Sequence, residues 1–329
     1  MQQKVIDKNN FTKAADLRGI SGYINSDPSI SIASLHGKVV LVDFWTYSCI
    51  NCIRTQPYLN DWHKKYSDKG LVIIGVHTPE FEFEKDYENV KLAVEKNGIK
   101  YPVVLDNDYS TWRAYQNNYW PRKYLIDADG YIRYDHIGEG RYEETEDKIV
   151  ELLNERDAAL KLKNEDELGF ATPQFSKIGS PELYLGYDFA RVPLGNSEGF
   201  LPEQTVSYKL PQSFIANLVY LEGEWENKND FAKLVSEKGK VALIFNAKNV
   251  NIVAGNMEQK GSKLKIFIDG KESNFSNKGL DAVFDSNGFV VPVSGQKLYN
   301  IVSLPDYGIG ALIFEVEGSG FELYTFTFG

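Results

Sequence analysis

Cysteine is scarce in this chain: only two occur among 329 residues, and both lie between positions 49 and 52. So small a number excludes the framework of structural disulfides on which small secreted domains depend. A structural zinc site is disfavoured too, because it needs four ligands and the four histidines show no ligand spacing around the cysteines. The sequence therefore implies no metal, haem or nucleotide cofactor.

Long apolar runs and an excess of positive charge are also lacking. No stretch approaches the roughly 20 apolar residues that a membrane helix requires. The chain has 36 basic and 46 acidic residues, a net charge of −10, so nucleic acid is not an expected partner. The first residues, Met1 to Asp7, show no hydrophobic signal core. Either the protein is cytosolic, or a leader or membrane region has been removed.

What is present is material for two globular domains. The length exceeds the usual single-domain size, and 43% of the residues are hydrophobic. We expect a polar lead-in over residues 1–20, an α/β domain over 21–157, a charged linker over 158–180 and an all-β domain over 181–329. Short alternating runs such as Leu264–Ile268 and Phe321–Phe326, separated by glycine-bearing turns, predict a sandwich, of the jelly-roll type, in the last region.

The cysteines sit at a junction between a strand and a helix. Val39–Trp45 is a continuous apolar run apart from Asp43, typical of a buried parallel strand, and a helix is expected from about Ile50 to Tyr66. Cys-x-x-Cys at such a junction is a redox motif. The positive end of the helix dipole stabilises a thiolate on Cys49, the candidate nucleophile, and Cys52 lies close enough to resolve a mixed disulfide.

Other elements follow from local patterns. Two short runs, Gly22–Asn25 and Ser29–Ile32, suggest a hairpin before the core, and Asp129-Gly130 predicts that Lys123–Ile126 pairs with Tyr131–His136. An amphipathic helix is expected near residues 84–97. Asp43 should have a raised pKa if the strand is buried, because a carboxylate loses its hydration there.

The motif resembles the active-site signature of thioredoxins: Val-Asp-Phe-Trp precedes Cys-x-x-Cys, and Pro57 matches the kink proline of that family's active-site helix. The variant Trp-Thr-Tyr-Ser-Cys-Ile-Asn-Cys is similar to DipZ-type proteins, a branch of the TlpA-like thioredoxins. The resemblance is strong over residues 30–155. It implies a thioredoxin fold with an inserted helix between positions 76 and 97, followed by a β-sandwich similar to carbohydrate-binding modules.

The resemblance also implies roles for particular residues. Asp43 would take the proton of Cys52, and Pro121 would be a cis proline whose backbone neighbour pairs with the substrate chain. A substrate groove would be lined by Trp45, Ile50, Asn51 and Trp120. Three further residues, Arg54, His77 and Glu80, fall near the same edge, where a surface position for Arg54 is the more ordinary expectation.

The implied activity is thiol–disulfide exchange with cysteine pairs of other proteins, using the Cys49–Cys52 disulfide and no added cofactor. Electrons would come from a membrane partner, and the location would be periplasmic or otherwise extracytoplasmic, tethered to the membrane in the full-length protein. Whether the protein reduces or oxidises its substrates is not legible in the residues between the cysteines.

Two alternatives stay open. Thr46-x-x-Cys49 resembles the end of the peroxiredoxin motif, although Val42 stands where that motif has proline. The second half of the chain could instead bind carbohydrate or a protein partner, with the redox domain as an auxiliary. Aromatic residues that could stack on sugars there are Tyr184, Tyr187, Trp225 and Tyr307.

Overall fold

The computed structural model describes residue 8 and residues 10–164, 173–258, 261–286 and 288–329. Parts of the expected lead-in (1–7 and 9) and linker (165–172) lie outside these ranges. The chain divides into two compact units, Met1–Thr172 and Pro173–Gly329.

The first unit is an α/β domain built on a mixed sheet. Its strands are β1 (Gly22–Ile24), β2 (Val39–Trp45), β3 (Leu71–His77), β4 (Val103–Leu105), β5 (Arg122–Ile126) and β6 (Ile132–Ile137). Its helices are α1 (Ile50–Tyr66), α2 (Tyr87–Lys96), α3 (Ser110–Ala114) and α4 (Tyr142–Arg156). The strand order is β1-β4-β3-β2-β5-β6, with β2, β3 and β4 parallel to one another.

Strand β2 lies near the middle of this sheet, and every one of its residues is buried. Its apolar, β-branched composition explains this placement, because a strand covered on both faces cannot alternate polar and apolar residues. Helix α1 follows directly, so the end of β2 and the start of α1 form the turn that carries the cysteines. The expected helix bounds for α1 and the β5–β6 pairing are confirmed.

The expected N-terminal hairpin is wrong. Strand β1 pairs antiparallel with β4, and residues 29–32 form no strand. The alternation over Gly22–Asn25 does correspond to a strand, Gly22–Ile24, but the partner of this strand lies more than 75 residues further along the chain. Between β3 and β4 lies the inserted segment, which contains a short 3₁₀ helix, Glu82–Lys85, and then α2.

The second unit is built from β-strands. They are β7 (Leu183–Tyr184), β8 (Thr205–Tyr208), β9 (Val219–Asn227), β10 (Ala232–Leu234), β11 (Lys238–Gly255), β12 (Ser262–Ile268), β13 (Lys271–Glu272), β14 (Val283–Asp285), β15 (Gly288–Val293), β16 (Lys297–Glu317) and β17 (Glu322–Phe328). The long strands β11 and β16 pair along most of their length and contain register shifts near Ala247 and Val250. Such irregularities bend a sheet and let it enclose a core.

Strand β11 also links the two ends of a circuit. Its first half pairs with β9 and its second half with β17, while β10 joins β9 to β17. The sheet therefore folds back on itself around one apolar core, which agrees with the expected all-β sandwich.

Two of the four aromatics named as candidates for sugar stacking are buried, and Trp225 belongs to this core. Trp225 and Tyr184 are buried, and the Trp225 indole donates to the Glu222 carbonyl and packs edge-on against Phe321. Their burial removes them from the carbohydrate-binding alternative, and it could not be read from the sequence because alternation within a strand does not reveal which face points inward. Tyr187 and Tyr307 are half-buried.

Candidate active site

The two cysteines occupy the first turn of α1. Cys49 is the residue that caps the helix, with an extended backbone (φ −76°, ψ 116°), and its sulfur accepts a hydrogen bond from the Cys52 backbone N–H at 3.4 Å. Both are free thiols; Cys49 is half-buried, whereas Cys52 is only 1% exposed. An incoming group can therefore reach the first sulfur, while the second is covered.

Asp43 lies in β2 and is fully buried. Burial raises the pKa of its carboxyl to about 7, partly opposed by the positive charge of Lys123. Among the described residues, neither carboxylate oxygen has a hydrogen-bond partner. The expected elevation of the pKa is thus confirmed, and the group can change its protonation state near neutral pH.

Lys123 was missed by the sequence analysis. It lies directly opposite Asp43 in the β2–β5 pairing, its side chain is fully buried, and its ammonium donates to the Gly138 carbonyl at 3.2 Å. Burial lowers the pKa of Lys123, while Asp43, Cys52 and Glu139 oppose that shift. A lysine two residues after the expected cis proline, followed by the apolar run Tyr124–Ile126, was the signal that could have found it.

The Cys52 thiol shares this environment. Burial raises its pKa well above the ordinary value, and neighbouring Cys49 and Asp43 contribute in the same direction. Tyr101 is also buried beside the pair, and its hydroxyl donates to Gln56 at 2.6 Å. Cys52 therefore holds its proton firmly until a base takes it.

The turn that precedes Cys49 packs against His77 at the end of β3. The Tyr47 ring stacks on the His77 ring (centroids 5.7 Å apart), and Thr46 Oγ1 lies 3.4 Å from His77 Nε2. Burial lowers the pKa of His77 to about 3, so the imidazole is neutral at physiological pH. His77 supports the turn rather than carrying a charge into the site.

Trp45 does not line an exposed groove. Its side chain is 1% exposed and meets His77 edge-on, with ring centroids 5.1 Å apart. Gly75 leaves space for it: a Cβ at that position would lie 2.9 Å from the indole nitrogen. The groove expectation for Trp45 is therefore replaced by a packing role.

A buried carboxylate from the inserted segment also reaches this turn. Glu84 accepts hydrogen bonds from the Ser48 hydroxyl (2.6 Å) and backbone N–H (3.3 Å), and from the backbone N–H groups of Glu80 (2.6 Å) and Phe81 (3.0 Å). Burial raises the pKa of Glu84, and these donors oppose the shift. The pattern Phe-Glu-Phe-Glu gave no sign in the sequence that the second glutamate would face inward.

Arg54 is not an exposed helical residue. Its guanidinium forms a two-point ion pair with Glu139 (2.6 and 2.9 Å) and also donates to the Asn51 side chain at 2.8 Å. Glu139 follows Gly138, whose carbonyl accepts from Lys123. The loop after β6 is therefore tied both to the helix that carries the cysteines and to the buried lysine.

The other predicted site residues take these positions. The Trp120–Pro121 peptide bond is cis, as expected. The half-buried Trp120 donates from its indole to the Thr78 carbonyl (3.0 Å) and packs on Trp112, with ring centroids 4.3 Å apart. Ile50 and Asn51 are half-buried at the start of α1. Their part in substrate binding stays a prediction.

Within the described residues there is no group of three or more histidine, cysteine, aspartate or glutamate side chains arranged to hold a metal ion. No helix in the described ranges is long and apolar enough to cross a membrane.

Comparison with known proteins assigns both units. Residues 22–153 match the Redoxin family, and residues 180–329 match the family described as the thioredoxin like C-terminal domain. Protein DipZ of Mycobacterium tuberculosis is 36% identical over 321 residues, which is 96% of this chain. The chain is a homologue of DipZ. It spans 43% of the length of that DipZ protein, and the expected resemblance is confirmed.

Shorter relatives match the first unit alone. Thiol-disulfide oxidoreductase YkuV of Bacillus subtilis is 28% identical over 141 residues, 43% of this chain and 93% of YkuV. Among solved structures, a thiol-disulfide isomerase from Corynebacterium glutamicum is 25% identical over 43% of this chain and 96% of its own, with a TM-score of 0.39. The relatives of this chain thus include thiol–disulfide oxidoreductases. The thioredoxin-like fold of its first unit rests on the family match and on the strand order described above.

Proposed function

We propose that this protein exchanges electrons with cysteine pairs of other proteins through the Cys49–Cys52 couple. The observation that carries the proposal is the unequal setting of the two thiols. Cys49 caps α1 at a half-buried position, and Cys52 is covered beside Asp43, whose carboxyl oxygens have no hydrogen-bond partner in the described part of the chain. A thiol at a helix N-terminus is activated for attack, and a buried second thiol needs a nearby base. The names of YkuV and related homologues support the same activity.

In the reducing direction, the Cys49 thiolate attacks one sulfur of a substrate disulfide. A bond forms between Cys49 and that sulfur, and the other substrate sulfur leaves as a thiolate that takes a proton from solvent. Cys52 then gives its proton to ionised Asp43 and attacks the Cys49 sulfur. The Cys49–Cys52 disulfide forms, the second substrate sulfur leaves as a thiolate that takes a proton from solvent, and two electrons have passed to the substrate. Oxidation of a substrate dithiol is the same sequence reversed.

Asp43 and Lys123 act together in the second step. Asp43 can accept the Cys52 proton only when it is ionised, and the Lys123 ammonium opposite it favours that form. With the pKa of Asp43 raised to about 7, the resolving step becomes faster as the pH rises through neutrality.

Trapping tests the assignment of the two sulfurs. We expect Cys52→Ser to accumulate a mixed disulfide between Cys49 and a disulfide-containing protein such as insulin, visible by non-reducing electrophoresis and mass spectrometry. Cys49→Ser should form none, and both variants should lose catalytic turnover of insulin. A wild-type protein that reduces no disulfide and oxidises no dithiol would contradict the proposal. The redox potential of the couple, measured against glutathione, then gives the direction.

The peroxidase alternative has a separate outcome in the same variants. A peroxidatic cysteine needs no neighbouring Cys52 for its first turnover, so rapid consumption of hydrogen peroxide by Cys52→Ser would favour it. We expect only the slow reaction of an ordinary thiolate.

The setting of the protein is part of the proposal. As expected for a DipZ homologue, we place it outside the cytoplasm, tethered to the membrane, with a membrane protein as electron donor and no cofactor beyond the disulfide. The second unit would position the redox unit or bind carbohydrate, for which Tyr187 and Tyr307 are the remaining half-buried candidates among the aromatics named above. A glycan array probed with the full chain tests the second possibility, with Tyr187→Ala and Tyr307→Ala as controls.

A further inference from the structure

The inserted segment between β3 and β4 reaches the cysteine turn through one side chain. Glu84 is the third residue of the short 3₁₀ helix Glu82–Lys85, and it is 0% exposed. One carboxylate oxygen accepts from Glu80 and Phe81 of its own segment, and the other accepts twice from Ser48. We call Glu84 with these donors the carboxylate brace. It joins two pieces of chain that are more than 30 residues apart in sequence.

Ser48 is the residue immediately before Cys49. Four donors converge on the Glu84 carboxylate. Its two oxygens can accept from all four, whereas a side-chain amide has one acceptor atom and cannot. Bonds to an ionised acceptor are also stronger than neutral ones. The brace therefore fixes the backbone just where the chain enters the capping position.

The other contacts described for this turn hold the residues next to Ser48, whereas Ser48 itself is held by the brace. Thr46 and Tyr47 contact His77, and the Thr46 side chain also interacts with the Glu84 carboxylate. Tyr47 meets Phe83 edge-on at 5.9 Å. The Cys49 backbone N–H reaches the Thr46 carbonyl only at 3.4 Å. Phe83, like Glu84, belongs to the inserted segment, so this segment holds the turn from one side and β3 holds it from another.

We infer that Glu84 is a positioning residue for thiol–disulfide exchange: by binding Ser48 it holds Cys49 at the capping position of α1, where the sulfur faces the Cys52 backbone N–H. The inference rests on the proposed function. It gives the inserted segment a part in the chemistry, because that segment supplies the carboxylate that keeps the nucleophile in place.

The titratable and charged groups around the brace come from several elements. Tyr47 lies in the turn that precedes Cys49, His77 ends β3, and Tyr109 lies before α3. Burial raises the pKa of both tyrosines and lowers that of His77. The nearby carboxylates are Glu80, Glu82, Asp86 and Asp106. Ionised Glu84 adds one more negative charge to this acidic neighbourhood. A purely electrostatic effect of Glu84 on the Cys49 thiol therefore has a definite sign: it disfavours the thiolate.

That sign separates positioning from electrostatics. Removing a negative charge alone makes the Cys49 thiolate easier to form, so the pH midpoint of its alkylation would fall. Releasing the turn withdraws the sulfur from the helix N–H group, so the midpoint would rise. We expect both Glu84→Gln, which loses the charge, and Ser48→Ala, which keeps it, to raise the midpoint by about half a pH unit or more.

The test measures iodoacetamide alkylation of Cys49 by mass spectrometry in the reduced full chain, together with the rate of insulin reduction. We expect kcat/KM to fall about tenfold or more in Glu84→Gln and about threefold in Ser48→Ala, as expected for lost hydrogen bonds to a charged group. The double variant should have a kcat/KM within about twofold of that of Glu84→Gln, because both changes break the same brace.

The matched control is Glu82→Gln. It removes the same charge from the same 3₁₀ helix, but Glu82 is exposed and pairs with Lys85 on the surface. It should leave the pH midpoint of alkylation unchanged and the rate of insulin reduction within about twofold of wild type. A midpoint that falls in Glu84→Gln, or stays unchanged in Ser48→Ala, overturns the inference. If Glu84→Gln does not fold, the Ser48→Ala midpoint decides alone.

Alkylation needs no electron exchange, so the two proposals can fail separately. A wild-type protein inactive toward every disulfide would overturn the proposed function, and the three alkylation midpoints would still report on the brace.

Discussion

Two fully buried carboxylates lie near the cysteines, Asp43 beside Cys52 and Glu84 beside the turn that precedes Cys49. Their hydrogen-bonding capacity is met in opposite ways. Asp43 has no hydrogen-bond partner among the described residues and lies opposite Lys123 in the β2–β5 pairing. Glu84 accepts four hydrogen bonds. Burial raises the pKa of both. An unpartnered acid is free to gain and lose a proton, whereas one that accepts from four donors is held in one form and serves as a structural anchor.

The largest difference should appear in the resolving step. We expect Asp43→Asn to slow the decay of the mixed disulfide at pH 8 by about a hundredfold, a typical loss when a general base is removed. The wild-type rate should be half-maximal near pH 7, where Asp43 is half ionised, and the variant should lose that dependence. Stopped-flow measurement of mixed-disulfide decay checks both. An Asp43→Asn rate equal to wild type at pH 8 would make Asp43 a bystander.

Stability should change in opposite directions for the two acids. The pKa of Asp43 rises from 3.8 to about 7 on folding. The folded state therefore binds the proton more tightly, and stability is lost as the pH rises from about 4 to about 7. Asp43→Asn removes this loss; with Lys123 then lacking its counter-charge, we expect a net gain of roughly 2 kcal/mol in unfolding free energy at pH 8 and little at pH 4.

Glu84→Gln should instead destabilise the fold by about 2 kcal/mol, because at least one buried donor loses its acceptor. Urea unfolding at pH 4 and pH 8 compares the two variants directly. Two variants that change stability in the same direction at pH 8 would remove the distinction between a free acid and an anchored one.

A smaller effect on the resolving step is expected from Lys123, the lysine opposite Asp43. Lys123→Met removes the positive charge that lowers the pKa of Asp43, so the pH at half-maximal resolving rate should move up by about one unit. The variant Lys65→Met is a suitable control, because Lys65 is partly buried and pairs with acidic residues from α1 and α4 away from the cysteines. An unchanged midpoint in Lys123→Met would mean that the ammonium does not act on Asp43.

These two regions also show what the sequence could and could not predict. Asp43 was found because it interrupts an apolar strand next to the cysteine motif, a local signal. Lys123 was missed because its meeting with Asp43 depends on the register between β2 and β5, which are about 80 residues apart. Glu84 was missed because charged residues on either side of a turn normally face water, and only the packed inserted segment turns this one inward.

The same division holds for the rest of the chain. Helix α1 and the β5–β6 hairpin follow from periodicity and turn residues close in sequence, and both were predicted. The partner of β1 depends on which distant strands meet, and the expected hairpin is wrong. The burial of Trp225 depends on the same long-range pairing, and the sequence did not decide between the core and a sugar-binding surface for it. Local patterns predicted elements, while pairing and facing required the folded chain.

The unequal cover of the two sulfurs imposes an order on events. Since Cys52 is 1% exposed and Cys49 is half-buried, any bulky molecule that forms a bond with this pair must be captured by the same atom every time. In the proposed exchange, its release can then begin only when the covered Cys52 sulfur attacks the Cys49 sulfur. The substrate bond and this attack lie on different sides of the Cys49 sulfur, so a docked substrate chain need not move before it is released.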